Sequence, residues 1–257
     1  MREVLISLRM AIQFFTIVPA AKTVQWTERR TAHSVFYLPL LGGILGFLLF
    51  HLVNMRDEVT ISTSVIALLV VLFPIVLTGG LHMDGYMDVS DAYFSRQSKE
   101  KKVAILSDPH VGSFAILSFI GLLSLRWMSI HELLVYFDVT LWDMMAIFAL
   151  PRFLAGWLLM TEKPVKETGL AAYFQRGVTK HTIFFYVCMS LLLLALLLVM
   201  VENKFVFVAF SMFVFWFIHF LRTHFGGITG DIIGSSIEGG ETFLWLTLWL
   251  LHVFVMG

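Results

Sequence analysis

A chain of 257 residues that is 58% hydrophobic, with 25 Phe and only 14% charged residues, is not a soluble domain, because no core of that size hides so much apolar surface. Mean hydropathy is +0.85 and runs of about twenty apolar residues recur, so the expected fold is all-α: a polytopic transmembrane helical bundle set in the lipid bilayer. The formal net charge of zero gives no reason to expect nucleic acid as a partner, and the single cysteine, Cys188, excludes an intramolecular disulfide and any Cys-based metal site.

In chain order, Val4 to Val18 is apolar but contains Arg9 and Gln13 and lacks a small-residue cleavage site. It reads as an interfacial or re-entrant helix rather than a signal peptide. A polar connection from Ala20 to Ser34 follows, holding Lys22, Arg29 and Arg30. Spans are expected at about Tyr37–Val53, Thr60–Gly80, Val111–Ile130, Thr140–Met160, His181–Val201 and Phe205–Leu221, with a shorter seventh at Phe243–Val255. No internal repeat or linker divides the chain, so residues 1–257 read as a single integral-membrane domain.

If the spans alternate, the connections at 20–36, 81–110, 161–180 and 222–242 share one side. They hold Lys22, Arg29, Arg30, Arg96, Lys99, Lys101, Lys102, Lys163, Lys166, Arg176, Lys180 and Arg222. The opposite connections hold only Arg56 and Lys204, with Arg126 at a span end beside Trp127. The positive-inside rule makes the crowded side cytoplasmic, in the plasma (inner) membrane.

Every polar motif lies on that side. In T-G-G-L-H-M-D-G-Y-M-D-V-S-D-A-Y-F, Thr78 to Phe94, the carboxylates Asp84, Asp88 and Asp91 are spaced by four and three residues, one narrow stripe of a helix. No Lys or Arg in the next turn offsets them, and three mutually repelling acids call for a cation. All-oxygen ligation suits a hard divalent ion, Mg²⁺ above all. Gly79, Gly80 and Gly85 permit close backbone approach to a phosphate; His82 is a candidate ligand, with helix capping or packing as its plainer role.

Next, L-S-D-P-H-V-G-S-F offers Asp108 and His110, with Ser107 or Asp108 expected to cap the following helix and Pro109 at its first position. Arg152, after Pro151 in mid-span, is costly unless it faces inward onto a phosphate or an aspartate; snorkelling is the alternative. Asp143 reads as interfacial. The basic loop Lys163–Lys180 reads as a lid or wall for an anion, or simply as a positive-inside loop. In H-F-G-G-I-T-G-D-I-I-G-S-S-I-E-G-G-E, Gly226, Gly227, Thr229, Gly230 and Gly234 accompany Asp231, Glu238 and Glu241. Close helix packing explains the glycines but not the acids. Two acid-and-glycine motifs on one face suggest one site with two walls, able to hold Mg²⁺ and a diphosphate.

T-G-G-L-H-M-D-G-Y-M-D-V-S-D-A, S-D-P-H-V-G-S-F and G-G-I-T-G-D-I-I-G-S-S-I-E-G-G-E, in this order, resemble the cobalamin synthase (adenosylcobinamide-GDP ribazoletransferase) family, over nearly the whole chain. The N-terminal F-F-T-I-V-P and the Y-L-P-L-L-G-G-I-L-G span fit as well. The resemblance implies that a hydroxyl of α-ribazole, or of its 5′-phosphate, attacks the cobinamide-linked phosphorus of adenosylcobinamide-GDP and expels GMP. On that reading Asp84, Asp88 and Asp231 are metal ligands, and Asp91 is the general base or a third ligand beside the catalytic Asp88. Arg152 and the backbones of Gly79, Gly80, Gly227 and Gly230, with His82, Thr229 and Glu238, bind substrate. Where the family often has D-S-R this chain has Asp108, Pro109 and His110, so His110 stands in for the arginine. A homo-oligomer and docking of corrinoid-pathway enzymes are both left open. Rival readings are a CDP-alcohol or prenyl diphosphate transferase and, from another class, a transporter, which would set its acids near the bilayer midplane.

Overall fold

In the computed structural model residues 2–19, 24–55, 58 and 60–256 are described; Ala20, Lys22 and Arg56, all used in the sequence reading, lie outside them. Apolar segments separated by polar turns form the helices α1 (Arg2–Phe15), α2 (Glu28–Ser34), α3 (Leu38–Asn54), α4 (Thr63–Leu77), α5 (Leu81–Phe94), α6 (Lys99–Ile105), α7 (Ser113–Tyr136), α8 (Leu141–Thr161), α9 (Leu170–Arg176), α10 (Lys180–Met200), α11 (Phe205–His224) and α12 (Gly230–Leu251). A 3₁₀ turn, Val35–Tyr37, joins α2 to α3 so that Glu28–Asn54 runs on as one 27-residue segment. Among the described residues five segments are long and apolar enough to cross a membrane, Glu28–Asn54, α7, α8, α10 and α11; α4 and α5 would make a sixth if together they form one bent span. The protein is therefore an all-α polytopic helical bundle.

Two expected spans take a different form. α4 has 15 residues, a rise of about 22 Å against a hydrocarbon core of about 30 Å. It stops at Leu77, and Gly79 (φ 62°) and Gly80 (φ 79°) carry the chain through a left-handed turn that only glycine adopts without strain. α5 leaves this turn bent by 93° from α4, so Leu81 to Phe94, within the expected connection 81–110, is the helix that the spacing of its aspartates calls for. The expected span Phe243–Val255 is the second half of α12, which begins at Gly230 and runs 22 residues. α12 packs on α5, α7, α8 and α11. Shielded from lipid by protein, it carries Glu238 and Glu241 inside the helix, which a hydropathy pattern reads as a loop.

Small residues let the backbones approach. α3 lies along α8 so closely that a Cβ added at Gly46 would stand only 2.5 Å from the Met144 carbonyl oxygen, and Gly42 is pressed on the Phe148 carbonyl. α12 meets α8 where a Cβ at Gly240 would stand 3.0 Å from the Pro151 ring. The fully buried Trp245, Phe148, Leu158 and Ile237 fill the space around these contacts. Asp143, expected at an interface, is buried at the start of α8, where it forms a capping box with Thr140. α7 starts at Ser113 with Gly112 as its cap, so neither Ser107 nor Asp108 caps it and Pro109 is not its first residue. Cys188 is an exposed free thiol on α10.

Candidate active site

The helical form of α5 puts Asp84, Asp88 and Asp91 on a common face, as their spacing requires. Asp84 is exposed; Asp88 and Asp91 are half-buried. The start of α12 is fixed against this face by two reciprocal glycine contacts. A Cβ on Gly85 would lie 2.7 Å from both Cα and the carbonyl oxygen of Asp231, and one on Gly234 would lie 2.8 Å from the carbonyl oxygen of His82. Asp231 thereby joins the acids of α5, and Asp88 lies within electrostatic reach of Asp84, Asp231 and Asp91. Thr229 caps α12, accepting from the Ile232 N–H at 3.3 Å, and its hydroxyl donates to Asp231 at 3.1 Å. The Asp91 carboxylate rests against Gly112 at the head of α7, where any side chain would overlap it. Among the described residues none of these four carboxylates has an ion-pair partner.

Three cavities meet at Asp84 and Asp231. The largest, about 630 Å³, has Thr78, Gly79, Gly80 and Asp84 on one side and Ile17 on another. A second, about 210 Å³, lies between Ser107, Lys166, Gly169, Thr229, Gly230 and Asp231. A third, about 100 Å³, is mostly apolar, with Phe14, Phe15, Leu159 and Phe174 facing His82, Asp84 and Asp231. A Cβ at Gly80 or Gly230 would meet nothing within 4 Å, so these backbones are accessible. Gly227 is different: it is pressed against the Lys163 carbonyl, and Val165 and Ile228 exchange backbone bonds with that strand of loop (Val165 N–H to Ile228 at 2.9 Å, Ile228 N–H to Lys163 at 2.8 Å). The basic loop after α8 is therefore a fixed wall of the site, and its Lys166 ammonium donates to the Ser107 hydroxyl.

Other expected residues are placed elsewhere. Arg152 is 4% exposed and belongs to Glu241, 2.6 Å away, and to the Phe148 carbonyl at 2.8 Å. Glu238, 2% exposed, pairs with Arg126 at 2.8 Å, and Arg126 also donates to Thr242 at 3.0 Å. Arg126 and Glu241 stand 3.5 Å apart. Arg126 thus sits buried in mid-helix and not at a span end, while Arg152 is paired with Glu241 and Glu238 with Arg126, in a charge cluster between α7, α8 and α12. Two guanidiniums against two carboxylates leave this cluster neutral, the condition for burying charge. His82 is buried and packs against Gly234; its Nδ1 has no hydrogen-bond partner among the described residues. Asp108 and His110 are exposed and bind each other, the ring Nδ1 and the backbone N–H of His110 lying 2.6 and 3.0 Å from the Asp108 carboxylate. This holds the Asp108 carboxyl below the usual carboxylate range.

The four unpaired acids supply only oxygen acceptors, a donor set that fits a hard divalent cation better than a transition metal. Among the described residues no three His, Cys, Asp or Glu side chains already form a metal cage. Sequence reasoning missed Ser107, Phe14, Phe15, Leu159 and Phe174 as wall residues. Lys166 was visible as one of several loop bases, but nothing in its spacing tied it to Asp231.

Comparison with known proteins agrees with the motifs. The adenosylcobinamide-GDP ribazoletransferase of Geobacillus thermodenitrificans (strain NG80-2) is 35% identical over 254 residues, covering 96% of this chain and 97% of its own. The protein of the same name from Halalkalibacterium halodurans is 34% identical over 261 residues, 99% of each chain. No solved structure matches the chain. A family model described as cobalamin-5-phosphate synthase matches residues 7–249, nearly the full length, and the chain belongs to that family.

Proposed function

We propose that the chain carries out the reaction for which its relatives are named, joining α-ribazole or its 5′-phosphate to adenosylcobinamide-GDP with release of GMP. It does so in the plasma membrane with the acidic face toward the cytoplasm. The observation that carries the reading is the juxtaposition of Asp84, Asp88 and Asp91 with Asp231 across the Gly85 contact, with cavities on three sides. Mg²⁺ held by Asp84, Asp88 and Asp231 would offset the charge of the diphosphate and of the departing GMP.

The chain's own groups do the rest. Asp91 accepts the proton of the attacking ribazole hydroxyl. The new bond forms from that oxygen to the cobinamide-linked phosphorus, and the bond to the GMP oxygen breaks. Lys166, together with the accessible backbone at Gly79, Gly80 and Gly230, binds phosphate oxygens, the work expected of Arg152 from the sequence. The apolar wall of Phe14, Phe15, Leu159 and Phe174 keeps bulk water from competing with the ribazole hydroxyl.

The test is a chromatographic assay of the detergent-solubilised full chain with adenosylcobinamide-GDP, α-ribazole or its 5′-phosphate, and Mg²⁺. Corrinoid product and GMP are expected in equal amounts, and both vanish with chelator or in Asp84→Asn. A folded protein that makes no product with either acceptor, lipid supplied, overturns the reading.

A further inference from the structure

A fourth cavity, about 600 Å³, shares no residue with those around Asp84 and Asp231. It lies between α1, α2 and the start of α10, and its polar lining includes Ser7, Arg29, His33, Thr179 and His181. Three features suit it to an anion. Arg29 makes no ion pair or hydrogen bond among the described residues, whereas its neighbour Arg30 is taken by Glu3 at 2.9 and 3.0 Å. α10 directs its N-terminal end here: Thr179 and Thr182 form a capping box, and the other first-turn N–H groups of a helix have no intrahelical acceptor. Ser7 is 1% exposed, lines the cavity and has no partner for its hydroxyl among the described residues, an orphan that a bound oxygen would satisfy.

The surroundings identify the carrier of that anion. Arg29 and His181 stand in the first turns of two membrane-crossing segments, Glu28–Asn54 and Lys180–Met200, so the cavity is at one bilayer surface. Phe36, which lines it, also lines a groove of about 130 Å³ between α3 and α10 whose wall includes Leu40 and Leu193. The groove is almost wholly apolar and runs toward the bilayer interior. A soluble phosphate would use the first chamber and leave the second empty; a phospholipid fills both.

We propose that this cavity binds the phosphodiester of a membrane phospholipid whose acyl chain lies in the α3–α10 groove. The test is native mass spectrometry of the full chain released from detergent with phosphatidylglycerol, with diacylglycerol and inorganic phosphate as separate arms. Wild type is expected to retain a phosphatidylglycerol adduct that diacylglycerol does not replace. Retention should fall at least about fivefold both in Arg29→Gln, an exposed position tolerant of change, and in Leu40→Trp, which blocks the groove. Equal adduct in wild type and both variants overturns the site. Binding of inorganic phosphate that is lost in Arg29→Gln, without lipid retention, overturns the lipid as its source.

Discussion

Adding one methyl group at Gly85 tests whether the contact between α5 and α12 sets the geometry of the acids. In Gly85→Ala the new Cβ would stand 2.7 Å from two backbone atoms of Asp231, against an ordinary contact distance of 3.4 Å or more, so the helices must separate by about 0.7 Å. Both partners are backbone, and no rotamer change relieves the overlap. Overpacking of this kind costs about 1–3 kcal/mol, which a bundle of this size withstands. A displacement near 1 Å at a reacting centre costs on the order of 10²-fold in rate, so kcat should fall about 10- to 100-fold while the protein still folds. Gly239→Ala is the matched control, because its Cβ would lie 3.7 Å from the Phe213 ring and needs no adjustment. The assay is the initial rate of GMP release at saturating substrates, with thermal unfolding in the same detergent. Wild-type turnover in a stable Gly85→Ala protein would refute the claim that this contact spaces Asp231 from Asp84.

Three more outcomes are expected. Asp88→Asn and Asp231→Asn should each lower activity at least about 10²-fold, and a chelator titration should abolish wild-type turnover, with added Mg²⁺ restoring it; turnover indifferent to chelator would remove the cation from the site. Arg126→Met should destabilise the fold by about 3–5 kcal/mol because it strands Glu238, and Arg126→Met with Glu238→Gln should recover much of that loss; a double variant no more stable than the single one, by denaturation midpoint, would show that the pair is not coupled. Lys166→Met should raise KM for adenosylcobinamide-GDP about tenfold with little change in unfolding temperature; unchanged KM would place the diphosphate elsewhere.

The acidic face was legible in the sequence because its signal is local: four residues, then three, is a helical period whatever packs around it. Helical membrane class was equally plain from the length of the apolar runs. What escaped depends on partners distant in sequence. The half-polar α12 looks like a loop until α5, α7, α8 and α11 are placed around it, and Arg126 and Arg152 look like stray or substrate-binding cations until Glu238 and Glu241 meet them. The Gly79–Gly80 pair was visible, but its left-handed turn, and hence the direction of α5, depends on backbone angles that composition does not encode. Lys166 comes to line the same cavity as Asp231 only through the pairing of Val165 with Ile228.

The second acidic motif shows how position along one helix divides function between like residues. Asp231, Glu238 and Glu241 lie on α12, but the glutamates follow Asp231 by seven and ten residues, about 10 and 15 Å further along the axis. At that depth an unpaired carboxylate would carry a desolvation penalty of several kcal/mol, and each glutamate accordingly meets a guanidinium. At the end of the helix, beside open cavities, water and ions supply what protein does not. Asp231 therefore remains unpaired, with Asp84, Asp88 and Asp91 opposite it. The neutral cluster of Arg126, Arg152, Glu238 and Glu241 ties α12 to α7 and α8, and so holds in place the end of the helix where the negative charge is left uncompensated. Removing a glutamate should act on the site through the position of α12, and removing Asp231 should act on it directly.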